Sequence, residues 1–306
     1  MDLTPELQKR AEQDLNEDPR RRGEDIKHIR DWLSKQPHIK ARTDDAWLLA
    51  FLRGCEFSLE RTKERLDNYY TLRSLMPDVF DNRDPLGKEL VAAVSARVLL
   101  ELPEPDERGS RVFLLRLGAA DPATIPVERV FKLNFMAGDL MLRDDPAAII
   151  CGNVILLDLD GANMGHVLQM TPAFVSRIMT ILQEAYPLRT LAIHYINAPS
   201  AVDVVMSLFK NSLSGYLATQ FHQHADLESL HKFFPKRILP KEYGGEAGTL
   251  AELNERFRKR LESRRDFFLE DGKYGVDEKL RPTAARSKAR RDVFDMAGSF
   301  RQLAVD

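Results

Sequence analysis

Residues 191–217 read LAIHYINAPSAVDVVMSLFKNSLSGYL, and this stretch places a strand directly before a helix. The apolar run 191–196 predicts a strand that ends at Asn197. Pro199 predicts the start of a helix, because the missing N–H of proline has no partner in a first helical turn. Spacings of three and four place one apolar stripe along this helix, formed by Val202, Val205, Met206, Phe209, Leu213 and Leu217. The pattern indicates a helix that covers an apolar space, and an ordinary amphipathic helix on a core is the simpler alternative.

The alternation of strand and helix continues on both sides of this stretch. Strands are predicted over 111–117, 153–159, 191–196 and 221–224, with helices over 126–143, from 171 to about 186, and over 199–217. The run NVILLDL at 153–159 shows no polar alternation, which is typical of a strand buried on both faces. This order predicts an α/β domain with a mainly parallel sheet and helical crossovers.

The sequence pattern of residues 4–85 predicts helices and no strand. Helices are expected to begin at Thr4-Pro5-Glu6 and at Thr43-Asp44-Asp45, and Ser58 is expected to cap a third helix. Gly54 is expected to cap the end of the helix in DDAWLLAFLRGCEF. Short connections between these helices indicate a small helical bundle. We therefore expect a helical module over 1–85, an α/β domain over 86–248, and a charged C-terminal region over 249–306.

The C-terminal region begins with a charged helix predicted over about 250–269. The tail 281–306 follows, with six basic and three acidic residues. Such a tail is usually solvated or lies on the protein surface, and a segment attracted to membranes is the alternative. Val293, Phe294 and Phe300 indicate that part of it docks on the protein.

Composition narrows the class of protein. The 306 residues are 43% hydrophobic and 30% charged, with a formal net charge of −2, which gives no argument for nucleic-acid binding. No apolar run reaches the ~18–20 residues that span a bilayer, and the N-terminus lacks an apolar signal core. Cys55 and Cys151 fit no metal spacing. These features predict a cytosolic protein with reduced thiols.

Sequence motifs for enzymatic chemistry are scarce. No GxGxxG, GK[ST] or GxSxG motif is present, so dinucleotide, nucleotide and serine-hydrolase sites are unsupported. His222 and His224 share one face of a strand, and with His231 they could bind zinc. Polar or hydrogen-bonded histidines are the simpler interpretation, because no acidic or cysteine partner follows at a suitable spacing.

Two acidic residues end the predicted central strand. Asp158 and Asp160 could serve acid/base or magnesium chemistry, whereas a local turn at Asp160 and Gly161 is the simpler interpretation. His194 lies within an apolar strand, where a hydrogen-bonded core histidine is commoner than a catalytic base. A parallel sheet without phosphate-binding glycines, followed by an apolar helix, favours a container for an apolar ligand.

Several ordered motifs resemble the CRAL-TRIO (Sec14-like) family of lipid-binding proteins. The stretch LLAFLRGCEFSLERTKERLDNYYTLR at 48–73 resembles the family's N-terminal helical module. The motifs DLDG, QMTP, IHYINAPSAVDVVMSLFKNSL, HKFFP and LPKEYGGEAGTL, between 158 and 250, resemble its lipid-binding domain. The likeness is greatest to the branch of tocopherol-transfer and retinaldehyde-binding proteins, and the GSFRQL ending is similar to that of several insect members.

The resemblance implies an α/β/α sandwich whose sheet forms the floor of a hydrophobic cavity closed by a movable gate helix. The gate would be the predicted helix 199–217. The ligand-binding residues implied are Phe131, Asn134, Phe135, Gly138, Leu157, Ile178, Ile181, Leu182, Ile193, Val202, Val205, Met206, Phe209 and Leu213.

The sequence departs from the tocopherol-binding pattern at two kinds of position. The pattern has serines where Asn134 and Gly138 stand, so Asn134 would be the main polar group and Gly138 would leave room. The family's basic patch for phosphoinositide headgroups is represented by Arg189, whereas its other positions hold uncharged side chains: Leu191, Tyr216 and Gln220. Arg177 and Lys210 are candidate substitutes for phosphoinositide or membrane contact.

These expectations describe a non-enzymatic, monomeric, cytosolic carrier without a cofactor. It would bind one small hydrophobic molecule, tocopherol-, retinoid- or carotenoid-like, and touch membranes transiently to transfer it. The alternatives are phospholipid exchange of the Sec14 kind, a non-catalytic scaffold that binds a protein such as a small GTPase, and a hydrolase or isomerase that uses Asp158, Asp160 or His194.

Overall fold

The computed structural model describes residues 3–213 and 215–282, and its N-terminal part is helical. Its helices are α1 (Pro5–Leu15), α2 (Arg22–Leu33), α3 (Asp45–Gly54), α4 (Leu59–Leu75), α5 (Pro77–Phe80) and α6 (Lys88–Ser95). The predicted helix starts and the Ser58 cap are confirmed, because the side chains of Thr4, Asp44 and Ser58 each accept a hydrogen bond from a backbone N–H three residues later. Sequence reasoning missed the short α6.

The predicted role of Gly54 as a helix cap is wrong. Gly54 is the last residue of α3, and the residues with left-handed backbone are Glu56 (φ 54°) and Phe57 (φ 55°). A Cβ atom on Gly54 would lie 2.0 Å from the carbonyl oxygen of Pro187. Gly54 therefore permits close approach of α3 to the segment before a central strand.

The main sheet has five strands in the order β2-β3-β4-β5-β6. They are β2 (Leu99–Glu101), β3 (Arg111–Arg116), β4 (Asn153–Asp158), β5 (Thr190–Ile196) and β6 (Phe221–His224). Strands β3 to β6 are parallel and β2 is antiparallel to β3, which confirms the mainly parallel sheet.

Helices cover both faces of this sheet. On one face lie α7 (Val127–Asp144), α9 (Met164–Gln169) and α10 (Pro172–Thr180), which a π-helical turn (Ile181–Ala185) extends, with α8 (Pro146–Cys151) linking α7 to β4. On the other lie α12 (Leu227–His231) and α13 (Leu250–Glu262). Side chains of β4 alternate between the two faces: Val154 and Leu156 pack toward the α12–α13 side, and Leu157 packs toward the α7 side. The fold is thus the expected α/β/α arrangement.

The helix predicted over 199–217 is interrupted. A 3-10 turn (Ser200–Val202) leads into α11 (Asp203–Ser212), Leu213 is extended, and a second 3-10 turn (Gly215–Thr219) follows. The sequence NSLSG at 211–215 has low helix propensity. The amide of Gln183 donates to the Ser212 carbonyl at 2.9 Å, which satisfies a carbonyl group at the helix end.

The C-terminal region also differs from the predicted single helix. It forms α13 and α14 (Arg265–Asp271), and β7 (Gly275–Val276) then pairs with β1 (Ile39–Lys40) in a two-stranded sheet. Arg281 is buried and donates to the Asp67 carboxylate at 2.7 Å, so the start of the predicted tail is attached to α4. Val293, Phe294 and Phe300 lie outside the described residues. Across 3–213 and 215–282, no helix is both long and apolar enough to cross a bilayer.

Candidate ligand-binding cavity

A cavity of about 530 Å³ lies between the sheet and the helices of the α7 side. Its floor is built from side chains of four parallel strands: Leu115, Ile155, Leu157, Ile193 and Phe221. Its cover comes from α11 and the residues beside it. This volume lies within the range of ~300–1,000 Å³ that is usual for sites of small apolar molecules.

Ten of the fourteen residues proposed from the sequence line this cavity. They are Phe131, Asn134, Leu157, Leu182, Ile193, Val202, Val205, Met206, Phe209 and Leu213. The structure thus brings together residues from α7, β4, β5, the end of α10 and the α11 segment. Ligand contact by these side chains remains a prediction.

The other four proposed residues lie behind the cavity wall rather than on it. Phe135 stacks on the Tyr186 ring, with centroids 5.3 Å apart, and a Cβ atom on Gly138 would lie 3.1 Å from the same ring. Ile178 and Ile181 are fully buried in the core. Tyr186 lines the cavity and covers this part of α7, so Gly138 accommodates Tyr186 and leaves no extra room for a ligand.

The cover of the cavity is held by apolar contacts and by the Gln183 amide, which donates to the Ser212 carbonyl. Val202, before α11, and Val205 and Met206 on α11 are buried. The Phe209 ring stacks on the Phe131 ring with centroids 6.3 Å apart and planes 15° apart. Val204, on the outer face of α11, is 68% exposed. The segment therefore has a side that faces the cavity and an outer, exposed side.

Asn134 on α7 and His166 on α9 are two polar side chains that line the cavity. Among the described residues, the Asn134 side-chain amide has no hydrogen-bond partner, although it faces the cavity. His166 also lines the cavity, but its Nδ1 accepts from the Asn163 N–H at 3.2 Å and its Nε2 therefore donates to the Ala120 carbonyl at 2.9 Å. Asn134 is thus available to a ligand, whereas His166 is occupied.

A group of basic side chains borders the cavity where α4 meets residues 183–191. Arg61, Arg65 and Arg189 line it, together with Glu56 and Glu184. Arg65 donates to the Gln183 carbonyl and Arg189 donates to the Ile150 carbonyl, so these two cations bond to neutral backbone oxygens. Sequence reasoning missed Arg61 and Arg65, although their spacing of four on one helix was a usable signal.

Of the three residues proposed for phosphoinositide contact, one borders the cavity and two do not. Arg189 borders the cavity. Arg177 pairs with Asp78 at 2.6 Å and Lys210 is exposed on α11, and neither lines the cavity.

Asp158, considered for catalysis, and His231, considered for zinc binding, both have structural partners. Asp158 accepts hydrogen bonds from the Asp160 N–H at 3.1 Å, from the Asn197 amide at 2.9 Å and from the Tyr243 hydroxyl, which supports the local structural interpretation. The His231 ring bonds to the Tyr243 carbonyl at 2.8 Å. Within the described part of the chain, no three His, Cys, Asp or Glu side chains are arranged to hold a metal ion.

The mainly parallel sheet, its helical layers and the covered apolar cavity define a lipid-binding module. A family model described as CRAL/TRIO domain matches residues 98–245, and a model described as Pinta-like, UBA domain matches residues 18–90. The chain belongs to the CRAL-TRIO family of lipid-binding proteins.

Named relatives cover most of the chain. A protein of Homo sapiens named alpha-tocopherol transfer protein-like is 33% identical over 250 residues, which are 81% of this chain and 72% of that protein. Clavesin-1 of Rattus norvegicus is 26% identical over 79% of this chain and 69% of that protein. The crystal structure of Sfh5 aligns with 83% of this chain and 93% of that one, at 14% identity and a TM-score of 0.49.

Proposed function

We propose that this protein is a cytosolic, non-enzymatic carrier that binds one small hydrophobic molecule and transfers it between membranes. The observation that carries this proposal is the 530 Å³ cavity, which is lined mainly by apolar side chains and covered by α11. The name of the human relative points to tocopherol-like cargo, and retinoid- or carotenoid-like molecules have the same apolar chemistry.

Retention of the cargo follows from burial. Each Å² of apolar ligand surface removed from water stabilises the complex by roughly 25 cal/mol. The ligand contacts the stripe of Val202, Val205, Met206 and Phe209, so an occupied cavity favours the closed position of α11.

Release requires α11 to move away from α7. Movement would separate Phe209 from Phe131 and expose the apolar stripe, which can enter a membrane interface. Met164 and Leu168 on α9 are 54% and 72% exposed, and α9 packs beside the 3-10 turn that precedes α11. With Val204, they give this side of the protein an apolar surface for transient membrane contact.

Anionic lipid headgroups have a candidate site at the basic border of the cavity. Arg61, Arg65 and Arg189 can bind phosphate oxygens there, and phosphoinositides carry several of them. The same arginines favour phospholipid exchange as the second candidate function, because a phospholipid would place its headgroup there and an acyl chain in the cavity.

The substitution Phe209→Asp tests the proposed cover. A carboxylate on the ligand-facing side of α11 would be desolvated by bound cargo, so we expect loss of ligand retention with an unchanged far-ultraviolet circular dichroism spectrum. The matched control is Val204→Asp, which places the same charge on the exposed side of the same helix. Equal retention by the two variants in a gel-filtration assay with a fluorescent apolar probe would refute the assignment of α11 as the cover.

A further inference from the structure

Three histidines form a cluster on the side of the sheet that faces away from the cavity. His194 on β5 pairs in register with His222 on β6, and their rings lie 4.8 Å apart. His194 Nδ1 lies 2.8 Å from His224 Nε2, and these two rings are stacked 5.1 Å apart. The strand β6 is therefore joined to β5 by ring contacts as well as by backbone pairing.

The surroundings of this cluster are apolar and contain one carboxylate. Phe234 is buried against His194, and Phe233, 54% exposed, contacts all three histidine rings. The Asp226 carboxylate, before α12, acts on His224. This carboxylate cannot compensate imidazolium ions on both His194 and His224.

The neutral forms of His194 and His224 are favoured while β6 is in place. Burial, and then the neighbouring His222 and His224, lower the pKa of His194 to about 3. Burial and then His222 lower the pKa of His224 too, although Asp226 opposes this. A histidine released into water regains an ordinary pKa of ~6.5.

The position of β6 connects this cluster to the cavity. It is an edge strand of four residues, Phe221–His224, and it follows directly on the segment that covers the cavity. Alternation along the strand places Phe221 on the cavity side, where it lines the cavity and contacts the Tyr195 ring at 5.2 Å. Loss of β6 from the sheet would therefore remove part of the cavity floor and free one end of the cover.

We propose that His194 on β5 and His224 on β6 form an acid-sensitive latch, in which proton uptake releases β6 from β5 and opens the cavity. The open state binds more protons than the closed state below the ordinary histidine pKa, so opening is favoured as the pH falls. Consider a histidine that stays neutral in the closed state and has an ordinary pKa in the open state. As the pH falls from about 7.5 to about 5.5, each such histidine raises the ratio of open to closed protein about tenfold. This regulation rests on the proposed carrier function.

Hydrogen exchange tests the latch without any cargo. We expect the protection of the β6 amides, corrected for the intrinsic pH dependence of exchange, to fall at least tenfold between about pH 7.5 and about pH 5.5. The protection of β3 should stay constant. In the variant His194→Gln/His224→Gln, which keeps hydrogen-bonding side chains and removes the two histidines whose pKa is lowered, the protection of β6 should fall by less than threefold. Equal pH dependence in the wild type and this variant would overturn the latch, whatever the protein carries.

Release of a probe then links the latch to the cavity. N-phenyl-1-naphthylamine, an apolar dye, is bound at about pH 7.5 and its dissociation into phosphatidylcholine vesicles is followed by fluorescence. The rate of dye dissociation from the wild type should rise several-fold at about pH 5.5. The control variant is His28→Gln, which removes an exposed histidine on α2 and should show the same rise. The double variant should show little change. Protection of β6 that depends on pH without faster dye release would overturn the connection to the cavity, and failure to bind dye at either pH would contradict the carrier function instead.

Discussion

At the scale of single residues, Asn134 is the polar side chain that α7 contributes to the cavity. Its amide has no partner among the described residues, so a ligand with a hydroxyl or carbonyl group can satisfy it. Asn134→Leu should weaken binding of an apolar alcohol by about tenfold, since a lost buried hydrogen bond costs ~1–3 kcal/mol, and should leave binding of the matching hydrocarbon equal or tighter. Fluorescence titrations of the two ligands measure this ratio, and an equal change in both affinities would argue against Asn134 as the polar contact.

A substitution of Gly138 tests whether this part of α7 packs against Tyr186. A Cβ atom at this position would press on Tyr186 at 3.1 Å, so Gly138→Ala should destabilise the fold by about 1–3 kcal/mol. The control is Gly23→Ala in α2, where no atom lies within 4 Å of the added Cβ and greater helix propensity should stabilise by up to ~1 kcal/mol. Urea unfolding measures both. If Gly138→Ala left the free energy of unfolding unchanged and altered the preference for ligand size, Gly138 would have to line the cavity.

The same residues show what helical spacing can and cannot predict. Positions 131, 134, 135 and 138 share one face of α7, and that inference holds. Spacing does not reveal which neighbour covers a face, and Tyr186 from a distant part of the chain covers half of it. Arg61 and Arg65 border the cavity for a similar reason, because the approach of α4 to residues 183–191 is a tertiary contact.

At the scale of elements, the alternation of strands and helices was predictable, because long apolar runs and proline or threonine at helix starts are local signals. The short β2, α6 and β7 were missed, since three or fewer strand residues carry little periodicity and α6 lacks a side-chain cap. The break at Leu213 depends partly on Gln183, whose bond to Ser212 is a contact that sequence spacing does not show.

That contact gives a prediction for the cover. The substitution Gln183→Leu removes the donor to the carbonyl of Ser212, the last residue of α11. The C-terminal end of the helix that covers the cavity then lacks this hydrogen bond. Since a hydrogen bond contributes about 1 kcal/mol, ligand dissociation should become roughly fivefold faster with a nearly unchanged association rate. Stopped-flow measurement of both rates checks this. A slower association with unchanged dissociation would show that Gln183 acts on entry and not on closure.

At the scale of the whole molecule, a buried ionic cluster joins the helical module, the cavity wall and the C-terminal helix. Arg73 and Arg83 contact both Asp139 on α7 and Asp271 on α14. Tyr186, which lines the cavity, donates to Asp139 at 2.8 Å. The regions expected to be separate along the sequence thus share one core.

Removing one charge from this cluster should destabilise the entire fold. Asp271→Asn leaves Arg73 and Arg83 with one carboxylate between them, and breaking a buried pair costs about 3–5 kcal/mol. Denaturant unfolding should show one cooperative transition at a lower midpoint. The exposed substitution Glu60→Gln on α4 is the control and should change stability by less than ~0.5 kcal/mol. Two separate transitions would show that the C-terminal helix unfolds independently.

The cluster also sets the response to strong acid. Burial alone would raise the pKa of Asp139, but Arg83 and Arg73 hold it below the ordinary value. A carboxyl group with a lowered pKa contributes stability above its unfolded pKa of ~3.9, and that contribution is lost as the pH falls through the folded pKa. This loss lies well below the range in which the histidines respond.

The most direct measurement of the central claim is mass spectrometry of an organic extract from the protein purified from its natural source. The carrier function predicts one apolar small molecule at about one per chain, since the cavity of about 530 Å³ is of the size that one such molecule fills. Recovery of a phospholipid would favour phospholipid exchange instead. An extract with no bound molecule, repeated after incubation with mixed lipids, would contradict the carrier function.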